Sequence, residues 1–164
     1  MPTKRPRQLD SPLVPTMIKY SARAQAWVYR KTNGRIGGTW RIGAGLRKPV
    51  PTLLLEHRGR KSGKLFTAPL LYLTDGAEIV IVASQGGLPT HPQWYHNLVA
   101  DPHAHIRIRA ERRPVLARVA TTDERTRLWP LLLRLYADFD NYQSWTERKI
   151  PVVILSEDTA AAPS

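Results

Sequence analysis

The sequence predicts a mainly β, α+β domain: a small antiparallel barrel with peripheral helices and an amphipathic helix at its N-terminus. Six stretches carry strand patterning, and most are separated by turn-length segments. Asp75-Gly76 joins two of them, too short a link for a parallel crossover, which disfavours a doubly wound parallel sheet. The 164 residues are 42% apolar, enough for one domain with its own core.

In chain order, residues 1–15 are rich in Pro and basic residues and are expected to form a flexible basic arm. Over 16–31, Met17, Tyr20, Ala24 and Trp27 recur at helical spacing on one face, while Lys19, Arg23 and Arg30 occupy another. Asn33-Gly34 and Gly37-Gly38 break that helix, and it forms a segment 16–50 with the Gly-rich loop behind it. The barrel is expected over 51–156. Its strands fall at 52–57, 65–74, 78–84, 103–109, 115–121 and 151–155, with a turn at 59–64. Gly86-Gly87 stops the third strand, and 91–99 reads as a short helix closed by Asp101-Pro102. Thr122-Asp123-Glu124 opens an amphipathic helix bearing Leu128, Leu131, Leu132 and Leu135; Pro130 within it predicts a kink or a later start. A further short helix is expected over 140–148, and 157–164 as a disordered tail.

Composition excludes several functions. Cysteine is absent, so disulfides, thiolate nucleophiles and thiolate metal sites are excluded together. No apolar run approaches the roughly 18–20 residues of a spanning helix, and no apolar leader with a cleavage site opens the chain, so a cytoplasmic protein is expected. Charge is the informative quantity. The net of +12 is carried by residues 1–64, which hold 15 bases and two acids, whereas 65–164 hold ten bases and 11 acids. An anionic partner is expected on the basic half; nucleic acid, anionic lipid, and a phosphorylated or carboxylated cofactor all satisfy that charge.

Four constellations bear on chemistry. Gly59-Arg60-Lys61-Ser62-Gly63-Lys64 follows a strand and combines turn glycines, a hydroxyl and three cations, the composition of an anion nest. Its spacing is not that of a Walker loop, and the same residues also suit a solvated hairpin turn. Ser84-Gln85-Gly86-Gly87 ends an apolar strand at a sheet rim, as a second wall of a site or as a simple strand exit. Gln93, Trp94, Tyr95 and Asn97 gather polar and aromatic groups on one short helix. Tyr136, Phe139, Tyr142 and Trp145 recur every three residues, as core packing or as an aromatic wall over a planar substrate. His103 and His105 lack a carboxylate at ligand spacing, so no metal is expected. No nucleophile elbow and no nucleic-acid-reading motif is present, so no nucleic-acid partner is expected.

Taken together, residues 51–155 resemble the deazaflavin-dependent nitroreductases of actinobacteria. The resemblance rests on the strand leading into Gly59-Arg60-Lys61-Ser62-Gly63, then Ala68-Pro69-Leu70, Ala83-Ser84-x-Gly86-Gly87 and Pro92-x-Trp94-Tyr95-x-Asn97-Leu98. It continues through Asp123-Glu124-Arg125, Tyr142-Gln143-Ser144-Trp145-Thr146-x-Arg148 and Ile150-Pro151; Trp27-x-Tyr29-Arg30 matches upstream.

The resemblance implies a split β-barrel of the flavin-reductase type. It implies an oxidoreductase that moves a hydride from reduced coenzyme F-420, an 8-hydroxy-5-deazaflavin, to an electron-poor acceptor, a quinone or a nitro compound. The coenzyme's phosphodiester and oligoglutamate tail would account for the basic half of the chain. By the same resemblance, Arg60, Lys61, Ser62, Gly63 and Lys64 hold the phosphate, while Pro69, Val82, Ala83, Ser84, Gln85, Gln93, Trp94, Tyr95, Asn97 and Phe139 line the deazaflavin. Ser84, Tyr136 and Tyr142 fall on the acceptor side as catalytic candidates. Leu71 and Phe139 stand where the nitroreductase branch has tyrosines, and Gln85 replaces a lysine, so two hydroxyls are absent from the acceptor pocket. An FMN enzyme on the same barrel, and a non-enzymatic basic membrane or nucleic-acid binder, are the alternatives. The helix over 16–31 either docks on the barrel or lies on an anionic membrane surface, where a lipid-soluble quinone would be met.

Overall fold

The computed structural model of the chain describes residues 4–40 and 49–161. In chain order the elements are α1 (Val14–Thr32), β1 (Thr39–Trp40), β2 (Val50–Arg58), β3 (Leu65–Leu71), β4 (Leu73–Asp75) and β5 (Glu78–Val82). They continue with α2 (Gln93–Ala100), β6 (His103–Ile108), β7 (Glu111–Val119), α3 (Thr122–Leu135), α4 (Asp138–Ser144) and β8 (Val152–Glu157). The strands run β1-β2-β6-β7-β8-β5-β4 with β3 added on β2, every neighbour antiparallel. Among the described residues the ladder does not close on itself, so the barrel is split.

Period-two alternation divides the apolar residues between two cores. Ile79 and Ile81 of β5, with Val153 and Leu155 of β8, join Leu53, Leu55, Ile106, Trp94 and Leu98 inside the barrel. The alternate residues Val80, Val82, Val152 and Ile154 face outward and are covered by Leu128 and Leu132 of α3 and by Tyr136 and Phe139. The Asp75-Gly76 hairpin is present, pairing Asp75 with Glu78.

The structure departs from the sequence expectation in several places. The strand expected over 65–74 breaks at Tyr72, because its two halves pair with different partners, β3 with β2 and β4 with β5. α3 runs unbroken past Pro130, and it starts at Thr122 rather than later. A reciprocal capping box sets that start: Thr121 Oγ1 accepts the Glu124 N–H at 3.2 Å, and Glu124 Oε2 accepts the Thr121 N–H at 3.1 Å. Burial of Leu128 and Leu132 on either side of Pro130 offsets the helical bond that proline cannot make. Within the expected arm, Arg7–Asp10 forms a 3₁₀ turn and the helix already begins at Val14. At the other end Glu157 still belongs to β8, and Asp158 is buried, its carboxylate accepting from His103 Nδ1 at 3.1 Å. Residues 1–3, 162–164 and the 41–48 portion of the Gly-rich loop lie outside the described residues.

The largest difference is the orientation of α1. The apolar face with Met17, Tyr20 and Trp27 stays in solvent, each more than 60% exposed, and Leu13 joins it. The helix docks instead through small and amphipathic residues: Ala26 and Tyr29 pack on Leu54 of β2. Tyr29 Oη accepts the Arg109 N–H at 2.7 Å and donates to the Arg107 carbonyl at 3.3 Å, tying the helix to the β6–β7 hairpin. Alanine permits the close approach, and the tyrosine hydroxyl supplies the polar anchor.

Candidate functional site

A cavity of about 1150 Å³ lies between α1, the β2–β3 connection, the exit of β5 and α4. Its first wall is the Gly59–Lys64 turn, because β2 ends at Arg58 opposite Leu65 of β3. The Gly59 N–H donates to the Lys64 carbonyl and the Gly63 N–H to the Gly59 carbonyl, both at 2.8 Å. A Cβ on residue 59 would sit 2.7 Å from Phe66 Cε2 and 2.9 Å from Ser62 Oγ, so a side chain there would have to displace both groups. The segment is a hairpin turn, and its cations are exposed by that turn.

Arg60 is held from behind by α2. Its backbone N–H and its Nη1 donate to Asn97 Oδ1 at 3.1 and 2.9 Å, and Nη1 also donates to Gln93 Oε1 at 3.0 Å. Gln93 and Asn97 stand one turn apart on a single helix face, which is why both reach the same guanidinium. Asn97 is buried, and its Nδ2 lies 3.0 Å from Nδ1 of His57, also buried. Desolvation lowers the His57 pKa to about 4.

The second wall is the β5 exit. Gln85, Gly86 and Gly87 all have positive φ, at 45°, 61° and 77°, an uncommon conformation for glutamine. At Gly87 a Cβ would lie 2.8 Å from the Tyr142 carbonyl oxygen, so glycine lets α4 pack directly on this exit. Arg148 holds the segment: Nε donates to the Leu88 carbonyl at 3.0 Å, Nη1 to that of Ala83 at 3.1 Å, and Nη2 to that of Ser84 at 2.7 Å. Its Nη1 also lies 2.8 Å from His91 Nδ1, and burial together with this cation lowers the His91 pKa.

The third wall is aromatic. The hydroxyls of Tyr136 and Tyr142 are 3.2 Å apart, and Phe139 meets Tyr136 edge to face at 5.2 Å. Tyr136 and Phe139 belong to the outer core and line the cavity as well, so packing and wall are one structure. Burial raises the Tyr142 pKa, with the Tyr136 hydrogen bond opposing, and keeps this hydroxyl a proton donor at neutral pH.

Of the residues expected at the site, Arg60, Lys61, Ser62, Pro69, Val82, Ser84, Gln85, Gln93, Trp94, Asn97, Tyr136, Phe139 and Tyr142 come together around this cavity. Four do not line it. Gly63 and Lys64 stay on the exposed part of the turn, and Ala83 is buried in the barrel core. Tyr95 packs on His91 and His96, at centroid distances of 4.8 and 5.7 Å. Gln93 and Asn97, expected against a flat ring, spend their carbonyl oxygens on Arg60.

Sequence reasoning missed His57, the positioning role of Arg148, and the cations Arg5, Lys19 and Arg23 of the N-terminal wall. The charge excess in residues 1–64 was the available signal for those three cations. Among the described residues no cluster could hold a metal ion; His103 pairs with Asp158 instead.

The cavity is basic along α1 and the turn, and apolar with hydroxyls at the β5 exit and α4. A flat, largely apolar ring carrying a polyanionic side chain fits that lining, and the volume suits a ligand of cofactor size.

A sequence profile described as F420H2-dependent quinone reductase matches residues 21–157. A Mycobacterium tuberculosis protein provisionally named an F420H2-dependent quinone reductase is 64% identical over 115 residues, 70% of this chain and 97% of its own length. A second protein of that species, named an F420H2-dependent quinone reductase, is 42% identical over 132 residues, 79% of this chain and 85% of its own. The solved structure of an F420H2-dependent reductase superposes with a TM-score of 0.60 at 36% identity, covering 65% of this chain and 94% of that one.

Proposed function

The chain belongs to the F420H2-dependent quinone reductase family, and we propose that its reaction runs in the cavity between α1, the Gly59–Lys64 turn, the β5 exit and α4. The enzyme transfers a hydride from reduced coenzyme F-420 to a quinone. The polarity gradient along the cavity supports the assignment of ends: cations at one, a hydroxyl pair among apolar residues at the other.

Arg60, Lys61 and Ser62 hold the coenzyme phosphate, with Gly63 and Lys64 adding backbone and charge at the rim. Lys19 and Arg23 extend the positive field along α1 toward an acidic tail. Pro69, Val82, Gln85, Trp94 and Phe139 position the ring. The bound coenzyme supplies the hydride, so the chain's own tasks are positioning, exclusion of water and stabilisation of charge on the acceptor. Ser84 and the Tyr136–Tyr142 pair face the quinone oxygens. The two hydroxyls, 3.2 Å apart, are the groups we assign to the acceptor oxygen on which negative charge develops.

Equilibrium titration with coenzyme F-420 and FMN side by side tests the site. The deazaflavin should bind at least about tenfold tighter, since its acidic tail meets more of the basic wall; equal affinities would overturn the assignment. Stopped-flow reduction of a quinone by Ser84→Ala and Tyr136→Phe should slow, with coenzyme affinity held within a few-fold. Unchanged rates in both would remove these residues from the acceptor side.

A membrane surface is the partner we propose for α1. Leu13, Met17, Tyr20 and Trp27 form an exposed apolar stripe on a helix that is already docked through its opposite face. Lys31, one turn beyond Trp27 on the same helix, complements anionic headgroups. No helix among the described residues is long and apolar enough to cross a membrane. Co-sedimentation with vesicles containing phosphatidylglycerol should occur and should be abolished by Met17→Ser with Trp27→Ser. Absence of sedimentation by the wild type would exclude the lipid partner.

A further inference from the structure

We infer that His57 is a positioning residue for the phosphate end of the site, acting through Asn97 on Arg60. The inference rests on the reading that Arg60 binds the coenzyme phosphate.

Hydrogen-bond directions carry it. Arginine and backbone N–H groups only donate, so the two contacts from Arg60 require the oxygen of the Asn97 amide. That leaves the Asn97 NH2 facing Nδ1 of His57 at 3.0 Å. An NH2 has no lone pair to offer, so Nδ1 must be the acceptor and the imidazole proton must sit on Nε2. The chain of donors therefore runs from Asn97 to His57 on one side and from Arg60 to Asn97 on the other, and it has one consistent arrangement. If the amide turned over, NH2 would face two donors on Arg60, and both contacts would be lost. Burial strengthens the constraint, because His57 is 5% exposed and Asn97 4%, so water does not substitute for a missing partner. His57 is fixed in turn by its place on β2 opposite Phe66, whose ring stacks on it at 5.9 Å. A rigid strand thus sets the amide, and the amide sets the residue that opens the turn. His57 is also part of the cavity lining.

Two measurements test this. In ¹⁵N spectra of the intact protein without coenzyme at neutral pH, His57 should show a protonated Nε2 and an unprotonated Nδ1. Asn97→Asp should move the proton to Nδ1, since a carboxylate accepts from both neighbours; a wild-type His57 protonated on Nδ1 would overturn the inference. For coenzyme F-420 binding by titration, His57→Leu should raise Kd about tenfold, the loss of one buried neutral hydrogen bond. His57→Gln, whose side-chain oxygen accepts from Asn97, should recover most of that loss, and kcat for quinone reduction should stay within twofold in both. If the wild type binds the coenzyme and His57→Leu binds it equally well, this inference alone is wrong. If the wild type does not bind it, the phosphate-site reading falls, and the positioning role with it.

Discussion

Replacing Arg148 with alanine should loosen the β5 exit more than any other single side-chain truncation outside the cavity lining. One guanidinium donates to three carbonyls of a six-residue segment, those of Ala83, Ser84 and Leu88 at 3.1, 2.7 and 3.0 Å. Each bond involves a charged donor and is worth about 1.5–3 kcal/mol in isolation. The three share one side chain that remains partly solvated, so they do not add in full. A net loss of about 3 kcal/mol of folding stability is expected, the upper end of what single substitutions commonly cost. With a urea slope of about 1–3 kcal/mol per molar, the unfolding midpoint should fall by at least about 1 M. The effect should also be local: amides over 85–88 should exchange with deuterium faster, because the turn bonds from Gly87 to Ser84 and from Leu88 to Gln85 lose their backing. Arg148→Lys should restore little, since an ammonium cannot reach three carbonyls from one plane. Urea denaturation followed by tryptophan fluorescence, with hydrogen–deuterium exchange read by mass spectrometry, makes the comparison. A midpoint within about 0.3 M of wild type and unchanged exchange over this segment would refute the reasoning.

The folded protein holds His57 at a pKa of about 4 against about 6.5 for a freely solvated histidine, so the unfolded chain binds the extra proton between those values. Stability from neutral His57 is therefore full above about pH 6.5 and lost as pH falls toward 4, by about 3 kcal/mol, and urea midpoints of His57→Gln should show a flatter profile over that window. Lys61→Ala should weaken coenzyme F-420 binding by roughly ten- to a hundredfold and raise its KM with little change in kcat, because the phosphate is remote from the reacting carbon; equal affinity at low salt would make the turn purely structural. Gly87→Ala should cost about 2–4 kcal/mol and slow quinone turnover, since φ is +77° and the new Cβ would meet the Tyr142 backbone at 2.8 Å; a wild-type melting curve would contradict that contact.

Much of the fold was legible along the chain. Alternating residues in 103–109 and the apolar run in 78–84 became β6 and β5, and Asp75-Gly76 became the hairpin between β4 and β5. The glycine-framed turn at 59–64 belongs to the same class, because its partners stand within a few residues. Most candidate side chains around the cavity were nameable as well, as four short constellations in the chain, and their roles came through the resemblance of ordered motifs.

Tertiary structure decided the rest. Helical periodicity identified an apolar face on α1 but not which face would dock; Ala26 and Tyr29 won because the tyrosine hydroxyl finds Arg107 and Arg109, about 80 residues away. Tyr72 breaks a continuous strand pattern because the two halves have different partners, which no local signal encodes. The contacts that hold the site together, His57 to Asn97 across 40 residues and Arg148 to Ser84 across 64, are single side-chain hydrogen bonds. Local propensity depends on neighbours within about four residues, so backbone form is written where it occurs. A lone polar contact between distant segments leaves no periodic trace and exists only once the chain has closed around it.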